Sequence, residues 1–200
     1  MSSQAAPAQV ESTQPTRRRL TERQGAMVQG LLDAGVDEVR AGGYEGLTVR
    51  NVARRAGVAP ATAYTYFASK DHLVAEIFWR RLAALPPAAV DHRRRAAVRV
   101  GIALREVGLL VADEPELAAA CTAALLASDP NVKHLRDRIG VDIHQRIEAA
   151  LGPAVDPRIV QALDIAYSGA LLQAGMGHLR YTDLADRLSE IAGFILDGAP

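Results

Sequence analysis

Along most of this chain apolar residues recur three and four positions apart, the period of a helix with one buried face. Met27, Leu31, Leu32, Ala34, Gly35 and Val39 form such a face over a first segment from about 15 to 41, which Gly42-Gly43 stops. Thr48 can cap a short helix over 48–56 with Val49, Val52 and Ala53 inward, ended by Gly57. Pro60 suits the first turn of a third helix running to about Phe67. Ser69 can cap a fourth, with Leu73, Ile77, Phe78 and Leu82 inward, closed by Pro86-Pro87. Further helical segments are predicted over about 88–112, 114–128, 131–151, 156–179 and 182–197. No period-two alternation persists apart from one stretch near residue 64, so the predicted fold class is all-α with about nine helices. The Pro86-Pro87 pair is the best candidate boundary between a small N-terminal unit and a larger C-terminal one.

Composition agrees: hydrophobic residues make up 49% of the chain and aromatics only 4%, which favours helix over sheet. The lone Cys121 excludes an intrachain disulfide and fits a reducing, cytoplasmic location. The longest apolar run, residues 117–127, is about half of what a membrane span needs. Residues 1–16 have no apolar core of the kind a secretory signal carries, and read as a disordered tail leading into Arg17, Arg18 and Arg19. Net charge is zero, yet residues 1–85 hold 11 Lys and Arg against 8 Asp and Glu. Between 46 and 70 stand Arg50, Arg54, Arg55 and Lys70 with no acid, a local basic patch that suits nucleic acid and suits a solvated helix face equally.

The segment Ala61-Thr62-Ala63-Tyr64-Thr65-Tyr66-Phe67 has strand propensity, but it lies just after the turn Ala56-Gly57-Val58, between two helices spaced as a helix-turn-helix requires. Wound as a helix, it turns Ala63 and Phe67 inward, and leaves Ala61, Thr62 and Thr65 outward between Tyr64 and Tyr66. Such a face admits the edges of bases in a major groove, with threonine for hydrogen bonds and phenols for flanking phosphates. A plain helical hairpin with two half-buried tyrosines satisfies the same spacing. Lys70 sits just after the Ser69 cap, where the helix dipole disfavours a cation and a phosphate would reverse that, although an ordinary surface lysine is the alternative.

Gly43-Tyr44-Glu45-Gly46-Leu47-Thr48-Val49, Val52-Ala53, Ala56-Gly57-Val58, Thr62, Tyr64, Tyr66-Phe67, Ser69-Lys70-Asp71 and Leu73 together resemble the N-terminal domain of TetR-family regulators over about residues 20–75. The resemblance implies an N-terminal three-helix helix-turn-helix domain over 17–68 and a C-terminal ligand-binding and dimerisation domain over 69–200. It implies a DNA-contacting set of Thr48, Ala59, Pro60, Ala61, Thr62, Tyr64, Thr65, Tyr66 and Lys70. It also implies a ligand-responsive regulator, a repressor released from palindromic double-stranded operator DNA by a small molecule. Three positions depart from the family pattern: Ala59 stands where a capping Ser is usual, Ala61 replaces Gly, and Ala63 replaces a larger aliphatic residue. The operator sequence is therefore not fixed by the resemblance.

The resemblance further implies a ligand cavity between helices four and eight. Candidate lining residues are Phe78, Leu82, Val107, Leu110, Cys121, Leu125, Ile143, Ile147, Tyr167 and Leu171, each of which also reads as ordinary core. With few charges at inward positions, an apolar or amphipathic effector is expected. In the family the last two long helices form a homodimer. Ile159, Leu163, Ala166, Ala170 and Gln173, and Leu184, Leu188, Ile191 and Ile195, make stripes suited either to that interface or to the monomer's own core. The five histidines show no metal-ligand pairing, no cofactor motif is present, and neither a phosphate-binding loop nor a nucleophile elbow occurs. Against the repressor stand an activator or a ligand-independent regulator, a protein-binding helical scaffold, and an α-helical enzyme using Cys121 or a histidine in the cavity.

Overall fold

A computed structural model describes residues 22–197; the N-terminal tail, the Arg17–Arg19 run and the start expected for the first helix lie outside the described residues. Among the described residues there are nine α-helices, one 3-10 turn and no strand. α1 (Glu22–Gly46) buries the expected Leu31, Leu32, Ala34, Gly35 and Val39 together with Val28, and its path breaks at Gly43. α2 (Val49–Arg55) starts where the Asn51 N–H donates to Thr48 Oγ1 at 3.1 Å. It ends because Gly57 takes φ 66°, which lets the Gly57 N–H reach the Arg54 carbonyl and the Val58 N–H reach that of Ala53. That reversal aims α3 (Pro60–Tyr66), after which Ser69 caps α4 (Lys70–Ala83) by accepting from the His72 N–H at 3.0 Å.

α5 (Ala96–Leu109) begins later than the expected residue 88 and ends before the expected residue 112. Asp91 builds a turn that competes with helix: its carboxylate accepts from the Arg93 N–H at 3.1 Å and its carbonyl from the Arg94 N–H at 3.0 Å. α6 (Pro115–Leu126), α7 (Pro130–Leu151) and α8 (Pro157–Gly175) each carry proline in the first turn, and Asp129 and Asp156 cap the latter two. α8 stops short of the expected residue 179 because Gly177, at φ 79°, lets the His178 N–H bond back to the Gln173 carbonyl at 2.9 Å. A 3-10 turn, Tyr181–Asp183, leads into α9 (Leu184–Asp197).

Buried apolar residues from Val28 in α1 to Ala192 in α9 form one connected cluster, so the Pro86-Pro87 loop does not divide the core. α4 packs against α1, α6 and α7, and α9 lies along α5 and against α8. Glu114 ties three segments together, accepting from Arg40 of α1 at 2.9 Å and from Arg81 of α4 at 2.7 Å. Burial would raise its pKa, but the two guanidinium groups outweigh that and hold the carboxyl below its ordinary value. Arg146, the one buried charged residue among those described, pairs with Asp142 at 2.6 Å and donates to the Pro86 carbonyl at 3.0 Å, fastening the loop after α4 to α7.

Of the two C-terminal stripes, Ile159, Ala166, Ile191 and Ile195 are half-buried and Gln173 is exposed. Leu163, Ala170, Ala174, Leu184 and Leu188 are buried inside this chain, so they serve its own core. The apolar surface of α8 lies on its other side, at Ile165 (68% exposed), Leu172 (40%) and Met176 (51%), with Phe194 of α9 also exposed.

The approach of α5 to α9 depends on Gly101, where an added Cβ would fall 2.9 Å from the Ala185 carbonyl and against Ser189. Gly101→Ala is expected to lower the thermal midpoint. Overpacking of about 1–3 kcal/mol exceeds the roughly 0.5–1 kcal/mol that alanine gains over glycine within a helix. Gly30→Ala, with nothing within 4 Å of the new methyl, isolates the second effect and is expected to raise the midpoint. A melt placing Gly101→Ala at or above the parent would refute the close contact.

Candidate nucleic-acid interface and internal cavity

α3 is seven residues long and has no side-chain cap, since Ala59 occupies the capping position and Pro60 the first turn. Its hold on the protein comes from the fully buried Ala63 and from Phe67, 2% exposed, just past its end. The opposite side presents Ala61, Thr65 and Tyr64 to solvent, the last 51% exposed, with Thr62 and Tyr66 half-buried. The Thr65 hydroxyl donates back to the Ala61 carbonyl at 3.1 Å. Thr48 is exposed next to this face, and so are Arg50 and Arg54 of α2, whereas Arg55 is tied to Glu38 at 2.6 Å. Of the expected DNA-contacting residues, Thr48, Ala59, Pro60, Ala61, Tyr64 and Thr65 are therefore exposed, and Thr62, Tyr66 and Lys70 are half-buried.

Lys70 is already engaged. Its ammonium donates to the Tyr44 carbonyl at 3.0 Å and stands 4.0 Å from the centre of the Tyr44 ring. A carbonyl and a π face answer the unfavourable helix dipole without a phosphate; of the three ammonium N–H groups, the carbonyl uses one. The Tyr44 hydroxyl donates to Asp71, and burial together with that bond pushes the phenol well above its ordinary pKa. The α3–α4 joint is fastened by the Ala68 N–H, which donates to His72 Nδ1 at 3.3 Å. Burial lowers the pKa of this imidazole, which keeps the accepting nitrogen unprotonated.

Ser69 does more than cap α4. Its hydroxyl donates to Asp129 Oδ2 at 2.6 Å, and Asp129 is the cap of α7, so two helix starts share one hydrogen bond. That bond holds the Asp129 carboxyl below its ordinary pKa.

A cavity of about 360 Å³ lies among α4, α5, α6, α7, α8 and the 3-10 turn. Of the expected residues, Phe78, Val107, Cys121, Leu125, Ile143, Tyr167 and Leu171 line it. Leu82 and Ile147 do not: both are fully buried in the helix-to-helix packing elsewhere, and Leu110 caps the end of α5 without reaching the cavity wall. The polar part of the wall went unforeseen. Thr122 and Tyr181 share a hydrogen bond of 3.2 Å, Arg136 donates to the Leu125 carbonyl at 2.8 Å, and Asp164 and Ser168 belong to α8. Asp164 binds His144 Nδ1 through Oδ2 at 2.7 Å, which raises the histidine's pKa. The exposed lining residues Leu126, Gly140, Ser168 and Leu172 mark where the cavity opens. Among the described residues no cluster of three or more His, Cys, Asp or Glu is placed to hold a metal, and no helix is long and apolar enough to cross a membrane.

Residues 31–77 match the family described as bacterial regulatory proteins, tetR family. An uncharacterized HTH-type transcriptional regulator of Mycobacterium tuberculosis (strain ATCC 25618 / H37Rv) is 51% identical over 179 residues, spanning 88% of this chain and 84% of that protein. The HTH-type transcriptional repressor KstR of Rhodococcus jostii (strain RHA1) is 31% identical over 111 residues, 55% of this chain and 52% of its own. Among solved structures, a TetR transcriptional regulator from Rhodococcus sp. RHA1 superposes with a TM-score of 0.71 at 18% identity, covering 90% of this chain and all of that one. The regulator FadR from Bacillus subtilis, in complex with stearoyl-CoA, superposes at 0.59 with 17% identity, covering 86% of this chain and 99% of that one. At those identities the two structures speak for the fold.

These relatives are regulators and not enzymes, and the one cysteine has the character of core. Cys121 is 4% exposed, and burial pushes its thiol up to about 12. At pH 8 such a thiol is ionised roughly a thousandfold less than an ordinary one. The native protein is expected to react with a thiol reagent at least about a hundredfold more slowly than the unfolded chain. Rapid stoichiometric labelling of the native protein would show the opposite.

Proposed function

Because the chain belongs to the TetR family of DNA-binding transcriptional regulators, we propose that it is a repressor whose apo dimer binds a palindromic operator and whose cavity takes an apolar or amphipathic effector that releases it. The observation that carries this reading is the reach of α4. Phe78 in its middle lines the cavity, while Ser69 and Lys70 at its start follow directly on the end of α3 and are tied to Asp129 and Tyr44. A ligand that displaces α6, α7 or α4 therefore moves the joint from which α3 is hung. It changes DNA affinity only if it binds the two arrangements unequally. The repressor name of the KstR relative and the acyl-CoA held by FadR support repression and an amphipathic ligand. Thr48, Thr62, Tyr64, Thr65 and Tyr66 are proposed to meet bases and phosphates, with Ala59, Pro60 and Ala61 permitting close approach and Lys70 offering its remaining donors to a phosphate. A homodimer through the exposed sides of α8 and α9 would place two reading helices about one helical turn apart.

The purified protein is expected to bind duplex DNA from upstream of its own gene with a steep salt dependence. About 6–10 phosphate contacts would weaken binding by roughly 10³–10⁵ between 50 and 200 mM salt. Absence of salt-sensitive binding would overturn the repressor reading. Binding that persists with every effector tried would favour an activator or a ligand-independent regulator. A separate measurement tests the interface: Ile165→Asp is expected to yield a folded monomer by light scattering, because a charge would be buried unpaired at the centre of the apolar surface. A variant that remains dimeric would place the interface elsewhere.

A further inference from the structure

The cavity wall is mostly apolar; Thr122, Tyr181 and Arg136 of its polar residues have hydrogen-bond partners in the chain, whereas one edge of α8 carries two buried polar atoms without one. Asp164 and Tyr167 both line the cavity, and the buried Asp164 Oδ1 and Tyr167 hydroxyl make no hydrogen bond within the chain. Tyr167 is 1% exposed, the largest fully buried side chain among the described residues, and burial drives its pKa upward, so it remains a phenol that donates and accepts. The two residues stand one turn apart on the same helix and are not within hydrogen-bond distance of each other.

The chemistry of the pair restricts what belongs beside it. An ionised carboxylate only accepts, so a ligand must bring a donor to Asp164 Oδ1. Asp164 Oδ2 is taken by His144, which fixes the carboxylate and leaves Oδ1 as the oxygen on offer. A ligand carboxylate would meet a like charge, and an ether or ketone would answer the phenol but leave the carboxylate unanswered. A hydroxyl donates and accepts at one atom and so answers both. Arg136, the other charged residue of the wall, already donates to the Leu125 carbonyl, so it sets a weaker demand than the two atoms without a partner.

We propose that the cavity takes an apolar alcohol, its hydroxyl donating to Asp164 Oδ1 and accepting from the Tyr167 phenol, its hydrocarbon lying against Phe78, Val107 and Ile143. This deepens the effector reading of the cavity and rests on it for its biological meaning, though not for the binding itself. The volume, about 360 Å³, is at the small end of the range for ligand pockets, which suits a compact chain or ring system and not a bulky conjugate.

The test is calorimetric titration of the full-length protein with a matched set: 1-decanol, decanoate, decylammonium and decyl methyl ether. Decanol is expected to bind at least about tenfold more tightly than decanoate and the ether. That advantage is expected to shrink to within about threefold in Tyr167→Phe and, independently, in Asp164→Leu, with both variants checked for unchanged helicity. Tighter binding of decanoate, tighter binding of decylammonium, an advantage untouched by either substitution, or no binding by any of the four would each overturn the proposal. If decanol binds as expected and leaves DNA binding unchanged, this inference stands and the effector-release reading falls. If DNA is released by some other compound while decanol fails to bind, the reverse holds.

Discussion

The burial of α4 on three sides governs the rest of this molecule. Leu73, Val74, Ala75, Ile77, Phe78 and Leu82 leave it no free face toward α1, α6 or α7. A helix so enclosed moves as a rod or not at all, because close-packed interiors transmit displacement better than they absorb it. Its start is pinned at Ser69 to the cap of α7 and at Lys70 to Tyr44 near the end of α1. α3 has neither a cap nor the length to hold an orientation by itself, and takes its attitude from α2 and from this rod.

Much of this could be read from residues close together in the chain. Thr48, Ser69, Gly57 and Pro60 act within one turn, so the limits of α2, α3 and the start of α4 followed from local chemistry. Gly177 carried a comparable signal for the end of α8, and Asp91 one for the late start of α5, both outvoted by apolar spacing that continued past them. What was not readable depended on partners far away in sequence. Lys70 looked misplaced because its carbonyl and ring belong to Tyr44, 26 positions back. Leu82 and Ile147 point inward as expected, but whether an inward residue meets a neighbour or a void is decided by how six segments assemble. Asp164 was not among the expected lining residues for the same reason, and it adds a charge to a cavity expected to have few.

The polar edge of α8 also bears on how a ligand could exert force. An apolar molecule in an apolar space is bound without direction, whereas hydrogen bonds to Asp164 and Tyr167 fix where its bulk lies relative to α7 and α4. Asp164 is joined to α7 through His144, so a strain at that carboxylate is felt directly by the helix whose cap holds Ser69. Sites and levers of this kind need only a pair of alternative arrangements and unequal affinity for them.

Leu172 belongs to two surfaces at once. Its side chain lines the cavity near the opening, and it stands on the exposed apolar side of α8 with Ile165 and Met176. A second copy resting on that side would lie across part of the way in and out. The escape of a bound molecule would then be timed by the loosening of the pair and not by its own affinity alone, so that the lifetime of a signal and the permanence of the assembly become one quantity seen from two directions.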